Sequence, residues 1–203
     1  MKIVLTRPVG RGEDFRRRLE SQGHEVVYLP LTEVRDAGPF PDPAPYDGVL
    51  FTSVSAVERI PAAAQWPRVG AVGPTTAQAL HERGVDAAIV GVGGGGELAE
   101  AWGECRGQRL LLPQAAEAHP ALEQALRNAG AEVDAVAVYE TRPLEQVDVE
   151  PFRRADVICF FAPSALRAFR ALAPETHARY WALGATTEAV VRDAGLPLTD
   201  FAL

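Results

Sequence analysis

The sequence predicts an α/β fold in which two similar lobes each carry a doubly wound parallel sheet with helices on both faces. Short apolar runs typical of buried strands alternate with amphipathic helical segments along the chain. This order is typical of parallel α/β sheets. The second half of the chain also repeats the first, which indicates that one α/β unit has been duplicated.

The N-terminal segment has the pattern of a strand–helix–strand unit. Residues 2–6 (KIVLT) form a short apolar run, as expected for a strand buried on both faces. A helix is predicted over residues 12–22, with Gly23 at its end. Residues 25–34 (EVVYLPLTEV) form a second extended run, interrupted by Pro30.

A proline-rich connector follows. Residues 36–47 (DAGPFPDPAPYD) cannot form regular structure because proline removes backbone donors and restricts its neighbours. Strands are then predicted at residues 48–52, 69–72 and 87–90, and a helix begins at 53–55. The glycines at 93–96 resemble a phosphate-binding loop, but they lack the motif of a P-loop or a dinucleotide site. We therefore favour a flexible loop that lines the ligand-binding cleft.

The repeat is in register, with small insertions. The equivalent pairs are Leu19 and Leu126, Gly23 and Gly130, and Val26 and Val133 at a separation of 107 residues, Phe51 and Phe160 at 109, and Gly73 and Gly184 at 111. The extended runs 26–34 and 133–141 are thereby equivalent, and both exceed the length of one strand. The residues leave open whether each lobe is one contiguous half of the chain or a swapped pair of quarter-chains.

Two equivalent stretches, 70–84 and 183–195, run from a strand end through a glycine into a threonine pair and a helix. We expect a threonine to cap each helix and a glycine to end it. Such a helix N-terminus has free N–H groups that favour bound anions. The threonines are Thr75, Thr76, Thr186 and Thr187.

Composition limits the functional class. The net charge of −7 disfavours a nucleic-acid-binding protein, which normally has a basic face. No long apolar segment near the N-terminus could serve as a signal peptide or cross a membrane, so we expect a cytoplasmic protein with no membrane contact. Cys159 lies in an apolar run and is expected in the core. The four histidines have no partner at metal-ligand spacing, and we predict no metal site.

Several motifs together resemble the uroporphyrinogen-III synthase family. They are VLTRP at 4–8, FTSVSAV at 51–57, VGPTTAQAL at 72–80, VYET at 138–141, FFAPSAL at 160–166 and LGATTEAV at 183–190. The resemblance covers essentially the whole chain, although no single motif is highly specific. It implies two α/β lobes joined by a two-stranded linker. One lobe would contain residues 1–34 plus 142–203 and the other residues 36–139, with linkers near 33–36 and 139–142.

The resemblance also implies an activity. Family members are lyases that cyclise the linear tetrapyrrole hydroxymethylbilane, with loss of water and inversion of the terminal pyrrole ring. No cofactor is implied, and we expect a monomer. Because the substrate carries eight carboxylates and is itself reactive, many binding groups and few catalytic groups are expected.

Tyr139 matches the tyrosine that the family places at the cleft, and its phenol could donate to the departing hydroxyl. Without the resemblance, packing at a strand end would explain it as well. The expected substrate-binding residues are Arg7, Ser53, Ser55, Thr75, Thr76, Arg142, Ser164, Thr186 and Thr187. Plain helix capping is the alternative role for each hydroxyl, and solvation at the surface is the alternative for Arg142.

Two departures from the family pattern each remove a possible carboxylate contact. Gln114 stands where a basic residue is common, and Ala162-Pro163-Ser164 replaces Ser-Pro-Ser.

A second functional hypothesis is a two-lobed, non-catalytic binding module for a small anion. A nucleotide-dependent Rossmann enzyme is disfavoured because its fingerprint is missing.

Overall fold

The structure is a computed structural model that describes residues 1–7, 12–62, 64–92 and 94–199. Its strands are β1 (Lys2–Leu5), β2 (Glu25–Tyr28), β3 (Thr32–Asp36), β4 (Gly48–Phe51), β5 (Arg68–Ala71), β6 (Ile89–Val90), β7 (Arg109–Ala115), β8 (Glu132–Pro143), β9 (Val157–Phe160) and β10 (Arg179–Ala182). Its helices are α1 (Glu13–Ser21), α2 (Val54–Val57), α3 (Pro74–Glu82), α4 (Gly95–Trp102), α5 (Ala121–Asn128), α6 (Glu150–Arg153), α7 (Pro163–Leu172) and α8 (Ala185–Asp193).

The chain divides into two compact units. Met1–Glu33 and Thr141–Leu203 form one, which we call the split unit, and Val34–Glu140 forms the other, the central unit. The chain passes from one unit to the other within β3 and again within β8.

The split unit contains a four-stranded sheet in the order β10-β9-β1-β2, with parallel pairing throughout. Alternate side chains of β1 enter different cores. Val4 packs in a cluster with residues of α7 and α8, whereas Ile3 and Leu5 pack with Leu19 of α1. Helices therefore cover both faces of this sheet, as predicted for a doubly wound arrangement.

The central unit is built on a six-stranded sheet in the order β3-β8-β7-β4-β5-β6. The pairs from β8 to β6 are parallel. Val49 and Phe51 of β4 pack on the side of α2 and α3, and Leu50 packs on the side of α4 and α5. The parallel α/β class is confirmed, and so is the burial of strands on both faces.

The extended run at residues 25–34 is broken in the structure. β2 ends at Tyr28, and β3 begins at Thr32 after Pro30. β2 belongs to the four-stranded sheet and β3 to the six-stranded one. The equivalent run in the second half is continuous, because β8 extends over 12 residues.

The helix ends at Gly84 and Gly195 are confirmed. Both glycines have left-handed φ angles, +75° and +69°, which residues other than glycine rarely adopt. The N–H of Gly84 donates to the His81 carbonyl, and the next N–H donates to Leu80, which closes α3 with two bonds. Gly195 closes α8 in the same way.

The prediction that threonines cap α3 and α8 is wrong. Gly73 and Gly184 occupy the capping positions, and neither helix has a side-chain cap. The threonines instead occupy the second and third helical positions. There, the second threonine of each pair is buried and the first is exposed; the buried residues are Thr76 and Thr187, and the exposed ones are Thr75 and Thr186.

The glycine-rich stretch at 93–96 is only partly a loop. Gly95 and Gly96 belong to the first turn of α4, and Gly93 lies outside the described residues. Cys105 and Cys159 are free and buried, as predicted for Cys159. Burial raises the pKa of the Cys159 thiol to about 12, so it remains protonated at neutral pH.

Candidate functional site

The central unit has a cavity at the point where its strand order reverses. From β4 the chain proceeds to β5 and β6 on one side of the sheet, whereas β7 and β8 lie on the other side. The loops after β4 and β7 therefore diverge, which leaves a crevice at the carboxyl ends of these strands. A cavity of about 410 Å³ lies there. Its lining is Thr52, Ser53, Val72, Gly95, Gln114, Ala115, Glu117, Ala118, His119, Ala121, Leu122 and Tyr139.

Tyr139 and Ser53, both expected in the site, meet in this cavity. The Tyr139 hydroxyl donates to Ser53 Oγ at 3.0 Å. Ser53 also caps α2, because its Oγ accepts the N–H of Ala56 at 3.2 Å. Both residues are half-buried. The phenol is thus held at the cavity wall by a residue fixed at a helix start.

The first residues of α4 and α5 approach each other closely beside the same cavity. A methyl group at Gly95 would lie 2.9 Å from the Leu122 Cβ, so a larger residue at position 95 would force the two helices apart. The N–H groups at these two helix starts give the cavity wall a partial positive charge.

His119 and Gln114 supply further polar groups to the cavity wall. His119 Nδ1 accepts the N–H of Ala121 at 3.2 Å, an arrangement that leaves Nε2 as its proton-bearing nitrogen when the ring is neutral. Gln114 is half-buried near the end of β7. Sequence reasoning missed His119, since a single histidine in a loop has no distinctive spacing.

Arg59 was also missed. It follows α2, and its guanidinium carbon lies 5.5 Å from the centre of the Tyr139 ring. Only its proximity to Ser53 and Ser55 in the sequence could have drawn attention to it.

The remaining predicted residues of the central unit do not line the cavity. Ser55 is in α2 with 7% of its surface exposed, and its carbonyl accepts a bond from Arg59. Thr75 and Thr76 are in the first turn of α3, and of these two threonines Thr75 is exposed and Thr76 is buried.

The other predicted residues belong to the split unit. Arg7 follows β1, and its guanidinium stacks 4.6 Å above the centre of the Phe161 ring. Phe161 follows β9, the neighbour of β1 at the reversal point of this sheet. Ser164 is the second residue of α7, and Thr186 and Thr187 are in the first turn of α8. Arg142 is exposed near the end of β8.

Neither a membrane span nor a metal-binding cluster is found in the described part of the chain. In residues 1–7, 12–62, 64–92 and 94–199, no helix is long and apolar enough to cross a membrane. Across these same ranges, no group of three or more His, Cys, Asp or Glu side chains is placed to hold a metal ion.

Together, the parallel sheets and the cavity at the reversal point define an α/β protein with a partly polar cavity at the carboxyl edge of its central sheet. The chain belongs to the uroporphyrinogen-III synthase family, because the family model described as Uroporphyrinogen-III synthase HemD matches residues 13–199. Its members are biosynthetic enzymes of heme and other porphyrins.

Individual relatives agree with this assignment. The chain is 27% identical over 197 residues to a uroporphyrinogen-III synthase of Chlorobaculum parvum (strain DSM 263 / NCIMB 8327), an alignment that covers 83% of this chain and 78% of that protein.

Two crystal structures share the fold. Uroporphyrinogen-III synthetase from Helicobacter pylori 26695 matches with a TM-score of 0.68 and 19% identity, over 97% of this chain and 90% of that one. A mutant uroporphyrinogen III synthase from the extremely thermophilic bacterium Thermus thermophilus matches with a TM-score of 0.61 and 21% identity, over 98% and 90%.

Proposed function

We propose that this chain is a uroporphyrinogen-III synthase that cyclises hydroxymethylbilane with loss of water and inversion of the terminal pyrrole ring. The observation that carries the proposal is the family match over residues 13–199. The Tyr139–Ser53 pair at the wall of a cavity is consistent with it. The second candidate, a non-catalytic binding module for a small anion, is not favoured because the family consists of enzymes.

In this proposal the substrate supplies most of the reactivity. A pyrrole nitrogen expels the terminal hydroxyl to give an azafulvene, and the last ring attacks it through a spiro intermediate. Closure without inversion needs no enzyme. The protein's task is therefore to hold the chain in a conformation from which only the inverted product forms.

Tyr139 is the proposed catalytic residue. Its hydroxyl donates to Ser53 at 3.0 Å, and a phenol has a single proton. In the proposed reaction the Ser53 hydroxyl turns to donate to the phenol oxygen, which frees the Tyr139 proton for the leaving hydroxyl. General acid–base groups contribute about 10²- to 10⁴-fold, and we assign Tyr139 the low end of this range, about 10²-fold.

The carboxylates of the substrate require positive or donor groups that the overall acidic chain must supply locally. Hydroxyls, N–H groups at helix starts and two arginines are the proposed groups. They are Arg7, Ser53, Ser55, Thr75, Thr76, Arg142, Ser164, Thr186 and Thr187. The burial of Ser55, Thr76 and Thr187 favours their backbone N–H groups over their side chains as the contacting atoms.

We also propose that the two units arose by duplication and are the family's two lobes. Division of the chain at residues 33/34 and 140/141 supports lobes of 1–34 plus 142–203 and of 36–139. Equivalent glycine-closed helices, α3 and α8, support the duplication. β3 and β8 are the proposed two-stranded linker.

The test is an isomer assay. Hydroxymethylbilane is generated enzymatically, incubated with the purified chain, oxidised and separated into type I and type III porphyrins, with heat-denatured protein as the control. The proposal predicts mainly type III. Formation of type I alone would exclude the synthase activity, and binding of the bilane without type III product would favour the binding module.

A further inference from the structure

Arg59 has a restrained side chain. Only 17% of the side chain is exposed, and its Nη1 donates to the Ser55 carbonyl at 2.7 Å. Its Nε forms an ion pair with Oδ1 of Asp36, the last residue of β3, at 2.8 Å, although the angle is not that of a hydrogen bond. Glu58 Oε2 adds a longer ion pair, 3.9 Å from Nη1. The guanidinium is therefore held at the end of α2 and at the end of β3, and these three partners reduce its rotamer freedom.

The restrained guanidinium faces Tyr139. A distance of 5.5 Å between the guanidinium carbon and the ring centre is within the range of a cation–π contact. The hydroxyl of the same tyrosine donates to Ser53. Residues from one short segment, 53–59, thus contact both ends of the Tyr139 side chain.

We propose that Arg59 is a positioning residue for Tyr139, and that the Asp36–Arg59 ion pair fixes the orientation of the phenol ring. The bond to Ser53 restrains the hydroxyl end of the side chain, and the contact with Arg59 adds a second restraint on the ring. The catalytic consequence rests on the function proposed above, since it assumes that Tyr139 acts on the substrate. Small displacements of a catalytic group are costly, with a shift of about 1 Å costing about 10²-fold in rate.

The chain offers a matched control. Arg83 donates from its Nη2 to the Glu58 carbonyl at 2.7 Å, so it binds the same end of α2. The ring contact with Tyr139 that the described residues show comes from Arg59 and not from Arg83. Arg83→Met therefore removes a more exposed guanidinium from the same end of α2 and leaves the tyrosine alone.

The kinetic test compares Arg59→Met and Arg83→Met in the wild-type and Tyr139→Phe backgrounds. We expect Arg59→Met to lower kcat by about tenfold, with KM changed less than about twofold. The displaced Tyr139 ring should slow the chemical step without changing how the substrate binds. In the Tyr139→Phe background, Arg59→Met should cause no further decrease in kcat. Equal losses in both backgrounds, or no loss in either, would overturn the proposal.

A second readout does not depend on activity. The chain has four tyrosines, so carbon-13 labelling of the phenol carbon gives few NMR signals, and the one missing in Tyr139→Phe belongs to Tyr139. Arg59→Met should shift this signal and Arg83→Met should not. An unmoved signal would refute the positioning role even if the chain proved to be no synthase. Type I product from the wild type together with a shifted signal would refute only the proposed function.

A variant on the exposed partner covers the case in which Arg59→Met does not fold. Asp36→Asn removes the ion pair at a side chain that is 81% exposed, so we expect the fold to persist. It should move the same tyrosine signal in the same direction by a smaller amount. No movement in folded Asp36→Asn would contradict the role given to the ion pair.

Discussion

The Tyr139 hydroxyl lies 3.0 Å from Ser53 Oγ, and the same oxygen accepts the Ala56 N–H at 3.2 Å. One serine oxygen thus caps α2 and holds the proposed catalytic phenol. A hydroxyl has two acceptor sites and one proton, so when Ser53 accepts both bonds its own proton remains available to a ligand. Any change at Ser53 would alter the helix and the phenol together, and Tyr139 is therefore the cleaner position to test.

Tyr139→Phe keeps the ring and its contact with Arg59 while removing the hydroxyl. We expect turnover to fall by about 10²-fold, since the acid is lost from the leaving-group step. The free energy of unfolding should decrease by about 1 kcal/mol, which is a typical value for one hydrogen bond. The isomer assay and urea denaturation measure the two effects. Unchanged turnover would remove Tyr139 from the mechanism.

The threonine pairs can be separated by burial. Thr75→Val with Thr186→Val removes two exposed hydroxyls and should raise KM by about 10²-fold or more, because each hydrogen bond to a charged group contributes about 1.5–3 kcal/mol. Thr76→Val with Thr187→Val alters buried hydroxyls of the same helix turns and should leave KM unchanged. The reverse result would show that the buried hydroxyls reach the substrate.

Gly84 and Gly96 should respond oppositely to alanine. Gly84 has a φ of +75°, so a Cβ there costs about 1–2 kcal/mol. Gly96 is inside α4 with open space around its Cα, so alanine should stabilise the protein by about 0.5–1 kcal/mol. Urea midpoints of the two variants report the signs, and a stabilising Gly84→Ala would contradict the helix end described here.

The Asp134 carboxyl should make the free energy of unfolding decrease as the pH falls in the acid range. The Tyr46 hydroxyl, at 2.9 Å, and then Arg109, at 2.8 Å, lower the pKa of this carboxyl. A lowered pKa stabilises the fold above the unfolded value of about 3.9, and the gain is lost as pH falls through the lower folded value. Asp134→Asn should therefore be less stable at pH 7 and lose less between about pH 5 and pH 2.

Salt provides the control for this effect. Asp134 and Arg109 are both partly exposed, so their ion pair is screened by added electrolyte. The difference between wild type and Asp134→Asn at pH 7 should shrink at high ionic strength. A difference that is independent of both pH and salt would assign the effect to packing instead.

Local patterns in the sequence were sufficient for the strands, most helices and the glycine-closed helix ends, because burial on both sheet faces and left-handed glycines have direct sequence signatures. The role of each side chain within a helix turn was harder to predict. A glycine before Thr75 took the capping position, which the threonine pattern alone did not reveal. The Tyr139–Ser53 bond joins residues 86 positions apart, and Arg59 meets Tyr139 only through the sheet. Such pairings depend on strand order and register.

The two separate chain segments of the split unit have a consequence for biosynthesis. Residues 34–140 of the central unit are all made before β9, so this unit can fold while the ribosome is still translating. β1 lies between β2 and β9 in its sheet, and its β9 edge stays unpaired until residues 157–160 emerge. β1 is thus synthesised before the central unit but reaches its final pairing after it. Until then it exposes a strand edge of the kind that promotes aggregation.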